Sequence, residues 1–168
     1  MSHNVAMKET TDTVIAIVEI PKGSRNKYEM DHGTGEIWLD RTLFTATRYP
    51  ADYGFVPDTL AEDGDPLDVL VLGTEPTFPG CRIRVRPIGV FLMEDQGDPD
   101  HKIIGVPAGD TRWEQTTDID DLDVHLRREL EHFFAVYKEL EDKKTAALGW
   151  SGLAEARRII AEARAAHH

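Results

Sequence analysis

The chain has 168 residues, of which 40% are hydrophobic and 30% charged, and its net charge is −12 at pH 7. This length predicts one globular domain that buries a core of its own. The negative charge argues against a nucleic-acid partner, because a phosphate backbone binds basic surfaces.

Targeting signals and disulfides are not indicated by the sequence. No apolar run approaches the length of a membrane span, and the first nine residues contain no hydrophobic signal-peptide core. The single cysteine, Cys81, excludes an internal disulfide framework and fits a reducing compartment. These features predict a cytoplasmic protein without a membrane partner.

The N-terminal third of the chain is predicted to contain a strand and a hairpin. Residues 1–12 are polar and aperiodic, which predicts a flexible arm before a single folded domain at residues 13–168. Residues 13–20 form an apolar, β-branched run that predicts a strand. Alternating patterns at residues 26–31 and 36–41, on either side of a turn, predict the hairpin.

Further strands are predicted in the middle of the chain. Residues 49–57 contain Pro and Gly and are interpreted as a loop with short extended pieces. Residues 68–73 and 102–106 are typical of short buried strands. The long run at residues 81–93 predicts a bent strand, with Pro87 and Gly89 marking a bulge or an edge.

Helical periodicity appears only in the last third of the chain. Apolar residues from Ile119 to Leu140 fall on one helical stripe, with Asp118 placed to cap its start. A second helix is predicted at about residues 152–166, with Ser151 as its N-cap. Because strands come first and helices last, without alternation, the fold class is predicted to be α+β: a small β-barrel with helices outside it.

The first acidic segment, residues 62–68, carries four carboxylates together with Gly64 and Pro66 and runs into an apolar strand. Carboxylates this close repel one another unless a positive charge lies among them. A hard divalent cation such as Mg²⁺ binds oxygen ligands on several sides and meets that need. The plain alternative is an acidic turn that leads into a strand.

The second acidic segment, residues 93–102, repeats this pattern at the end of another apolar strand. Two such segments predict a joint metal site. An EF-hand is excluded, because neither segment has Gly at the sixth and Glu at the twelfth loop position. Zinc is disfavoured by the lack of a suitably spaced Cys/His pair, so oxygen ligands predict Mg²⁺ or Mn²⁺.

Basic and phenolic side chains could balance an anionic substrate beside such a metal site. The candidates are Lys27, Arg41, Lys102 and Lys138, with Tyr49, Tyr53 and Tyr137 as hydroxyl donors. Each residue by itself also fits a plainer interpretation, as a solvated cation or as an aromatic ring at the edge of the core. The ring of Tyr137 lies on the apolar helical stripe and is predicted to be buried.

Taken in order, these segments resemble the soluble family I inorganic pyrophosphatases of bacteria. The matching residues are Glu19-Ile20-Pro21, Lys27-Tyr28-Glu29, Asp40-Arg41, Tyr49-Pro50, Tyr53-Gly54, Asp63-Gly64-Asp65-Pro66-Leu67-Asp68-Val69-Leu70, Asp95, Asp100-His101-Lys102, His132-Phe133-Phe134 and Tyr137-Lys138. The resemblance covers about residues 13–150. It implies hydrolysis of pyrophosphate with several Mg²⁺ ions, a five-stranded OB-like barrel flanked by two C-terminal helices, and a homo-oligomer, with a hexamer favoured.

The resemblance also implies a role for each matching side chain. Asp63, Asp68 and Asp100 would hold the tightly bound metal, Asp95 and Asp100 a metal that arrives with substrate, and Glu29 would lie near another. Asp65 would be the general base that activates the attacking water. The phosphates would be held by Lys27, Arg41, Tyr53, Lys102, Tyr137 and Lys138, with Glu19 and Tyr49 lining the site.

The chain departs from the family pattern at residue 96, at residues 143–150 and in the N-terminal arm, which finds no match. Gln96 follows Asp95 where many members have Glu, which leaves metal stoichiometry open. The segment at residues 143–150 lacks a tryptophan after Lys144, so its role in the site is open. His32 follows Asp31 in the hairpin turn and is either a site residue or a solvent-exposed turn residue.

Two other functions fit the same residue pattern. One is a different Mg²⁺-dependent phosphohydrolase that cleaves a nucleoside triphosphate or polyphosphate. The other is a barrel that binds a divalent cation or phosphate without catalysis, although this leaves Asp65 and the three bases Lys27, Arg41 and Lys102 unexplained.

Overall fold

The computed structural model describes residues 13–168, so the predicted flexible arm at residues 1–12 lies outside them. Over the described residues the strands are β1 Val14–Ile20, β2 Asn26–Met30, β3 Ile37–Thr42, β4 Asp52–Val56, β5 Leu67–Val71, β6 Arg82–Asp95, β7 Asp98–Pro99, β8 Lys102–Pro107 and β9 Thr145–Gly152. The α-helices are α1 Val124–Val136 and α2 Leu153–His167. Short 3-10 helices lie at Thr111–Trp113, Ile119–Asp121 and Glu139–Glu141.

Five strands close into a ring in the order β1, β4, β5, β8, β6 and back to β1. All neighbours in the ring are antiparallel except β5 and β8, which run parallel. The predicted α+β fold with a five-stranded barrel and two C-terminal helices is therefore confirmed. The long strand β6 bends as predicted, with a register shift against β8 between Pro87 and Gly89.

The barrel wall is buried on both faces. Val69 and Ile103 pack in a cluster with α2, whereas their neighbours Leu70 and Ile104 pack in a second cluster with α1. Successive residues of a strand point to opposite faces, so a wall covered on both sides needs a continuous apolar run. This explains why β5 and β8 were recognisable from the sequence.

The β2–β3 hairpin forms a separate two-stranded sheet beside the barrel. It contacts β1, and the carboxylate of Glu19 accepts a hydrogen bond from the Met30 amide at 2.8 Å. Glu19 lies where the register of β1 shifts against β4. Such a bulge re-aims a side chain at the rim of a barrel, and here it directs Glu19 towards the hairpin.

Strand β4 corrects the interpretation of residues 49–57 as a loop, because Asp52–Val56 is a full barrel strand. Gly54 pairs with Val18 of β1, and a Cβ at Gly54 would lie 2.0 Å from the Ile17 carbonyl oxygen. Glycine is therefore required by the close approach of two strands. In the sequence the same glycine indicated a turn.

The single helix predicted from Ile119 to Leu140 is also wrong in extent. Only Val124–Val136 is α-helical, and a 3-10 helix lies on each side. Asp118 and Asp121 form a capping box around the first 3-10 helix, which ends at the extended residue Leu122. Asp118 thus caps a short turn, and the apolar stripe continues across the break because Ile119 and Leu122 are both buried.

Strand β9 was missed, and it changes how α2 begins. Residues Thr145–Gly152 pair with the C-terminal half of β6, although their own sequence lacks an alternating pattern. Ser151 therefore lies in a strand, and Gly152 is the N-cap of α2. The Asp118 carboxylate accepts a hydrogen bond from the Leu153 amide at 3.3 Å, so a distant residue supplies the cap that Ser151 was predicted to give.

None of the helices described at residues 13–168 is both long enough and apolar enough to cross a membrane.

Candidate active site

A cavity of about 190 Å³ lies where one end of the barrel meets the hairpin and the end of α1. It is lined by thirteen of the fourteen predicted site residues: Glu19, Lys27, Glu29, Tyr49, Tyr53, Asp63, Asp65, Asp68, Asp95, Asp100, Lys102, Tyr137 and Lys138. The two acidic segments meet here because β5 and β8 run side by side, with Asp68 opposite Lys102. Parallel pairing of these strands therefore brings together residues that are far apart in sequence.

Lys102 is at the centre of the barrel side of the cavity and is only 1% exposed. Its ammonium lies 2.6 Å from Asp68, 2.8 Å from Asp100 and 2.9 Å from the Tyr53 hydroxyl oxygen. Burial opposes the charged ammonium, but the two carboxylates raise the pKa of Lys102 above its ordinary value. Lys102 is thus a fixed positive charge between two predicted metal ligands.

The carboxylates on the barrel side of the cavity have pKa values shifted from their ordinary values. Burial raises the pKa of Asp68 to about 6, although the Lys102 charge opposes the rise. Burial also tends to raise the pKa of Asp100, but the charge of Lys102 outweighs burial, and the pKa of Asp100 is lowered. Burial raises the pKa of Glu19 to about 7 despite its hydrogen bond from Met30. Burial is thus the largest cause of the raised pKa values of Asp68 and Glu19, whereas the pairing of Asp100 with Lys102 dominates at Asp100.

The carboxylates of the first acidic segment differ in their hydrogen-bond partners. Asp63 accepts a hydrogen bond from the Asp65 amide at 3.0 Å, and burial raises the pKa of Asp63. The Asp65 carboxylate is exposed towards the cavity and makes no ion pair or hydrogen bond with the other described residues. A carboxylate without a partner can accept a proton from water, which is the requirement for a general base.

Lys138, directly after α1, extends the positive edge of the cavity. It forms an ion pair with Oδ2 of Asp95. Within residues 13–168, the other carboxylate oxygen of Asp95, Oδ1, is buried without a hydrogen-bond partner. Burying an acceptor without a hydrogen-bond partner costs free energy, so this oxygen is suited to a ligand that supplies positive charge.

The hairpin contributes basic groups through a second bulge. The register shifts between Lys27 and Tyr28, which leaves Asp40 without an opposite residue. The Asp40 carboxylate binds Lys27 at 3.0 Å and also pairs with Arg41. Burial raises the pKa of Asp40, but Lys27 and Arg41 outweigh it and lower the value. Asp40 therefore holds two predicted phosphate-binding cations side by side.

Arg41 is the one predicted site residue that does not line the cavity. Its Nε lies 2.9 Å from Oε1 of Glu141, which follows α1 and has a side chain only 6% exposed. Burial opposes the guanidinium charge, but Glu141 and Asp40 raise the pKa of Arg41. Glu141 was missed by the sequence analysis, since a single acid in a charged stretch gives no signal.

Aromatic rings form the floor between the two sides. Tyr49 packs against Tyr53 and Phe133 with ring centroids 5.6 and 4.7 Å apart, and Tyr137 lies 5.2 Å from Phe133. Burial raises the pKa of Tyr49, Tyr53 and Tyr137 well above the ordinary value, so their hydroxyls stay protonated donors. The predicted burial of the Tyr137 ring is confirmed.

His32 also lines the cavity, at its hairpin edge. Its ring meets Phe55 edge-on, with centroids 4.8 Å apart. His32 is therefore a solvent-exposed turn residue that also lies at the edge of the predicted site.

The donor set fits a hard divalent cation. Seven carboxylates and only three ammonium groups line the cavity, and every acidic ligand offers oxygen. Among residues 13–168, no three Asp, Glu, His or Cys side chains converge closely enough to enclose a metal ion in this conformation. Lys102 instead lies between Asp68 and Asp100. The raised pKa values of Asp68 and Glu19 and the orphaned oxygen of Asp95 are the observations that fit added positive charge.

Comparison with known proteins shows sequence similarity over most of the chain. A family model described as inorganic pyrophosphatase matches residues 16–168. An inorganic pyrophosphatase of Leifsonia xyli subsp. xyli is 56% identical over 145 residues, which are 86% of this chain and 89% of that protein. One from Streptomyces coelicolor is 57% identical over 140 residues, covering 83% of this chain and 86% of the relative.

The fold is similar to that of solved relatives. The crystal structure of inorganic pyrophosphatase from Thermus thermophilus superposes with a TM-score of 0.92 and 43% identity, covering 96% of this chain and 94% of the other. Sequence, family model and fold agree over almost the whole described chain. This chain therefore belongs to the inorganic pyrophosphatase family.

Proposed function

We propose that this chain hydrolyses inorganic pyrophosphate to two orthophosphates, with Mg²⁺ as its cofactor and Asp65 as general base. The observation that carries the proposal is the composition of the cavity: a carboxylate-rich barrel side faces basic groups of the hairpin and of the α1 end, in a chain of this family. Phosphoryl transfer is catalysed mainly by positioning and by charge neutralisation, and this cavity offers both.

The excess of carboxylates makes cations necessary for an anionic substrate. Pyrophosphate would be repelled by a cavity with seven carboxylates and three ammonium groups unless metal ions inverted the local charge. The proposed ligands are Asp63, Asp68, Asp95, Asp100 and Glu29, with Mn²⁺ as a possible substitute metal. When bound, such ions supply positive charge that acidifies the attacking water and neutralises phosphoryl oxygens.

Asp65 is the proposed base because, in the first acidic segment, its carboxylate alone both lines the cavity and has no hydrogen-bond or ion-pair partner among the described residues. The Asp63 carboxylate receives the Asp65 amide, and that of Asp68 is bound to Lys102. Asp65 can therefore take the proton of the attacking water as the phosphorus–oxygen bond forms. The attack is proposed to be in line with the bridging oxygen that leaves.

The remaining groups hold the phosphates in place. Lys102, Lys138 and Lys27 line the cavity with their ammonium groups, and the Tyr53 and Tyr137 hydroxyls are protonated donors beside them. These groups stabilise charge on the departing phosphate. Arg41, held beside the cavity by Asp40 and Glu141, completes this set of phosphate-binding groups, while Glu19 and Tyr49 line the site.

Release of orthophosphate tests the function directly. Purified protein should release two phosphates from each pyrophosphate in the presence of Mg²⁺, and release should stop with EDTA. ATP and a linear polyphosphate are assayed in parallel at the same concentration. Cleavage of ATP or polyphosphate with no cleavage of pyrophosphate would contradict the proposal in favour of another phosphohydrolase, and binding without any cleavage would favour a non-catalytic barrel.

We further propose that the protein acts in the cytoplasm as a homo-oligomer, with a hexamer favoured. Large apolar side chains are exposed on the described chain, among them Trp38, Phe44, Phe78 and Leu148. These side chains are available for contacts between copies of the chain, but the number of subunits comes only from the family resemblance. Light scattering after size exclusion should give six times the chain mass of 18.9 kDa, and the mass of one chain would contradict association.

A further inference from the structure

The position of the first acidic segment depends on the loop that carries it. This loop leaves the barrel at the end of β4 and returns at the start of β5, where Asp68 follows Leu67. Asp63 and Asp65 lie within the loop and are exposed. The two ends of the loop must therefore be fixed if these carboxylates are to keep their distance from Asp68.

Thr59 joins the two ends of this loop through its hydroxyl. The Oγ1 atom donates a hydrogen bond to the Val56 carbonyl at 2.6 Å and accepts one from the Leu67 amide at 2.9 Å. Val56 is the last residue of β4 and Leu67 the first of β5. Thr59 is 3% exposed, so solvent cannot easily replace either bond.

Packing does little to fix the loop from behind. A cavity of about 310 Å³ lies between the loop and α2, and Asp63, Pro66, Asp68 and Asp100 line both this cavity and the smaller one that holds the site. On the α2 side, the backbone bond that ties the loop runs from the Leu60 amide to the Ala163 carbonyl, at 2.9 Å. Where close packing is missing, directional hydrogen bonds determine the position of a backbone.

The inner turn is closed by local bonds only. The Ala61 amide donates to the Asp65 carbonyl at 2.7 Å, and the Gly64 amide donates to the Ala61 carbonyl at 3.0 Å. These bonds fix the shape of the turn but not its place against the barrel. The bond from the Leu67 amide to Thr59, which lies two residues before that turn, closes the loop at the start of the strand that bears Asp68.

We propose that Thr59 is a positioning residue for the active site: its buried hydroxyl limits how far the first acidic segment can move from Asp68, so that its carboxylates and Asp68 can share a cation. The proposal rests on the proposed function of Asp63 and Asp68 as metal ligands. Groups that hydrogen-bond directly to metal ligands typically change metal affinity or activity about 10- to 100-fold when they are altered, and we expect a change in this range for Thr59, which acts on Asp68 through the backbone of Leu67.

Three variants separate positioning from general loss of structure. Thr59→Val keeps the size and the β-branch but removes the hydroxyl, and Thr59→Ser keeps the hydroxyl. Thr77→Val is the matched control, because the Thr77 hydroxyl donates to the Asp52 carboxylate at 2.7 Å and Thr77 does not line the site. Mg²⁺ binding is measured by calorimetry on each protein without substrate, and the Mg²⁺ dependence of pyrophosphate hydrolysis is measured separately.

Thr59→Val should bind Mg²⁺ about 10- to 100-fold more weakly than the unaltered protein, with a matching shift in the Mg²⁺ concentration that half-activates hydrolysis. Thr59→Ser should remain within about threefold, since it retains both hydrogen bonds, and Thr77→Val should bind Mg²⁺ normally. Equal Mg²⁺ affinity of Thr59→Val and Thr77→Val would overturn the proposal, and so would a folded Thr59→Ser that lost Mg²⁺.

Amide exchange in the unaltered protein gives a readout that does not depend on any variant folding. In Mg²⁺-free protein the Leu67 amide should exchange slowly, because it is bound to the buried Thr59 hydroxyl. Exchange as fast as that of a free peptide amide would also overturn the proposal. If the unaltered protein released no phosphate from pyrophosphate, the proposed function would fail, whereas calorimetry and exchange would still decide the role of Thr59.

Discussion

The two sides of the cavity are held in place by different forces. On the barrel side, Asp68 and Lys102 lie near the start of strands that are mostly buried and hydrogen-bonded into the ring. On the hairpin side, β2 and β3 are largely half-buried or exposed and belong to a separate sheet. Lys27 and Arg41 are fixed there by ion pairs with Asp40 and Glu141.

This difference suggests a division between chemistry and substrate binding. Two proposed metal ligands, Asp68 and Asp100, and their counter-charge Lys102 lie on or beside the rigid barrel, while the proposed phosphate-binding residues Lys27 and Arg41 lie on the more weakly attached hairpin. Altering the barrel side should therefore change both stability and turnover. Altering the hairpin side should change activity with little loss of stability.

The largest expected effect is at the proposed base, Asp65, on the loop between β4 and β5. Asp65→Asn should lower kcat by about 10²- to 10⁴-fold, because a positioned general base contributes on that order. Mg²⁺ affinity should be nearly unchanged, since Asp65 is not a proposed ligand. Steady-state phosphate release and Mg²⁺ calorimetry check the two parts.

Glu62→Gln is the control for this prediction, because Glu62 lies on the same turn, is exposed and does not line the site cavity. Its activity should match that of the unaltered protein. Normal turnover in Asp65→Asn would remove Asp65 from the chemistry.

The comparison of the two sides is tested most directly by two lysines. Lys102→Met should destabilise the Mg²⁺-free protein by about 3 to 5 kcal/mol, because Asp68 and Asp100 lose a buried counter-charge. Lys27→Met should change stability by less than about 1 kcal/mol, because its pair with Asp40 is partly exposed. Urea unfolding of both variants in EDTA gives these values.

Both lysine variants should lose about 100-fold or more in kcat/KM, since each removes a donor to phosphoryl oxygens. Equal losses of stability in the two variants would show that the hairpin is as firmly fixed as the barrel, and the division drawn above would then be wrong.

Glu19, which joins the two sides, should make stability depend on pH. Its pKa is raised by burial from 4.5 to about 7, so the folded protein binds this proton more tightly than the unfolded chain does. Stability of the Mg²⁺-free protein should therefore fall as pH rises from about 4.5 to 7, by up to about 3 kcal/mol from this group. Unfolding in EDTA at several pH values measures the slope.

Glu19→Gln should flatten the pH dependence over that window, while Glu62→Gln should leave it unchanged. Parallel curves for Glu19→Gln and the unaltered protein would mean that another group, such as Asp68 with its pKa of about 6, accounts for the slope.

The smallest effect is expected at Glu141 on the hairpin side. Glu141→Gln should raise KM by up to about fivefold with little change in kcat, because a partly exposed ion pair is worth up to about 1 kcal/mol and Asp40 still holds Arg41. Glu139→Gln, an exposed neighbour, is the control and should show normal kinetics. A large fall in kcat for Glu141→Gln would place Arg41 with the rigid groups instead.

Some parts of the fold and site could be predicted because the signal is local. The apolar runs of β5 and β8 reflect a wall buried on both faces, and the bend of β6 is visible as Pro87 and Gly89. The carboxylates of the two acidic segments could be recognised because so many like charges in one turn are unfavourable without a cation. These signals need no knowledge of distant residues.

Other features could not be predicted because their cause lies elsewhere in the chain. Gly54 looks like a turn residue until the approach of β1 is known, and β9 has no strand pattern of its own because its pairing with β6 defines it. The start of α2 is capped by Asp118, 35 residues away. The ion pair of Glu141 with Arg41 could not be predicted from the sequence, and neither could the hydrogen bonds of Thr59 with Val56 and Leu67.

The sequence by itself determined the class of fold, the family and the set of groups that chemistry requires, because hydrophobic periodicity and clusters of like charge are local properties of a chain. Tertiary structure alone decided which groups meet, with Lys102 between Asp68 and Asp100, Arg41 drawn to Glu141 and Thr59 closing the loop. The physical reason is that hydrogen bonds and ion pairs act over a few ångströms. Barrel closure sets those distances between residues that the sequence keeps far apart.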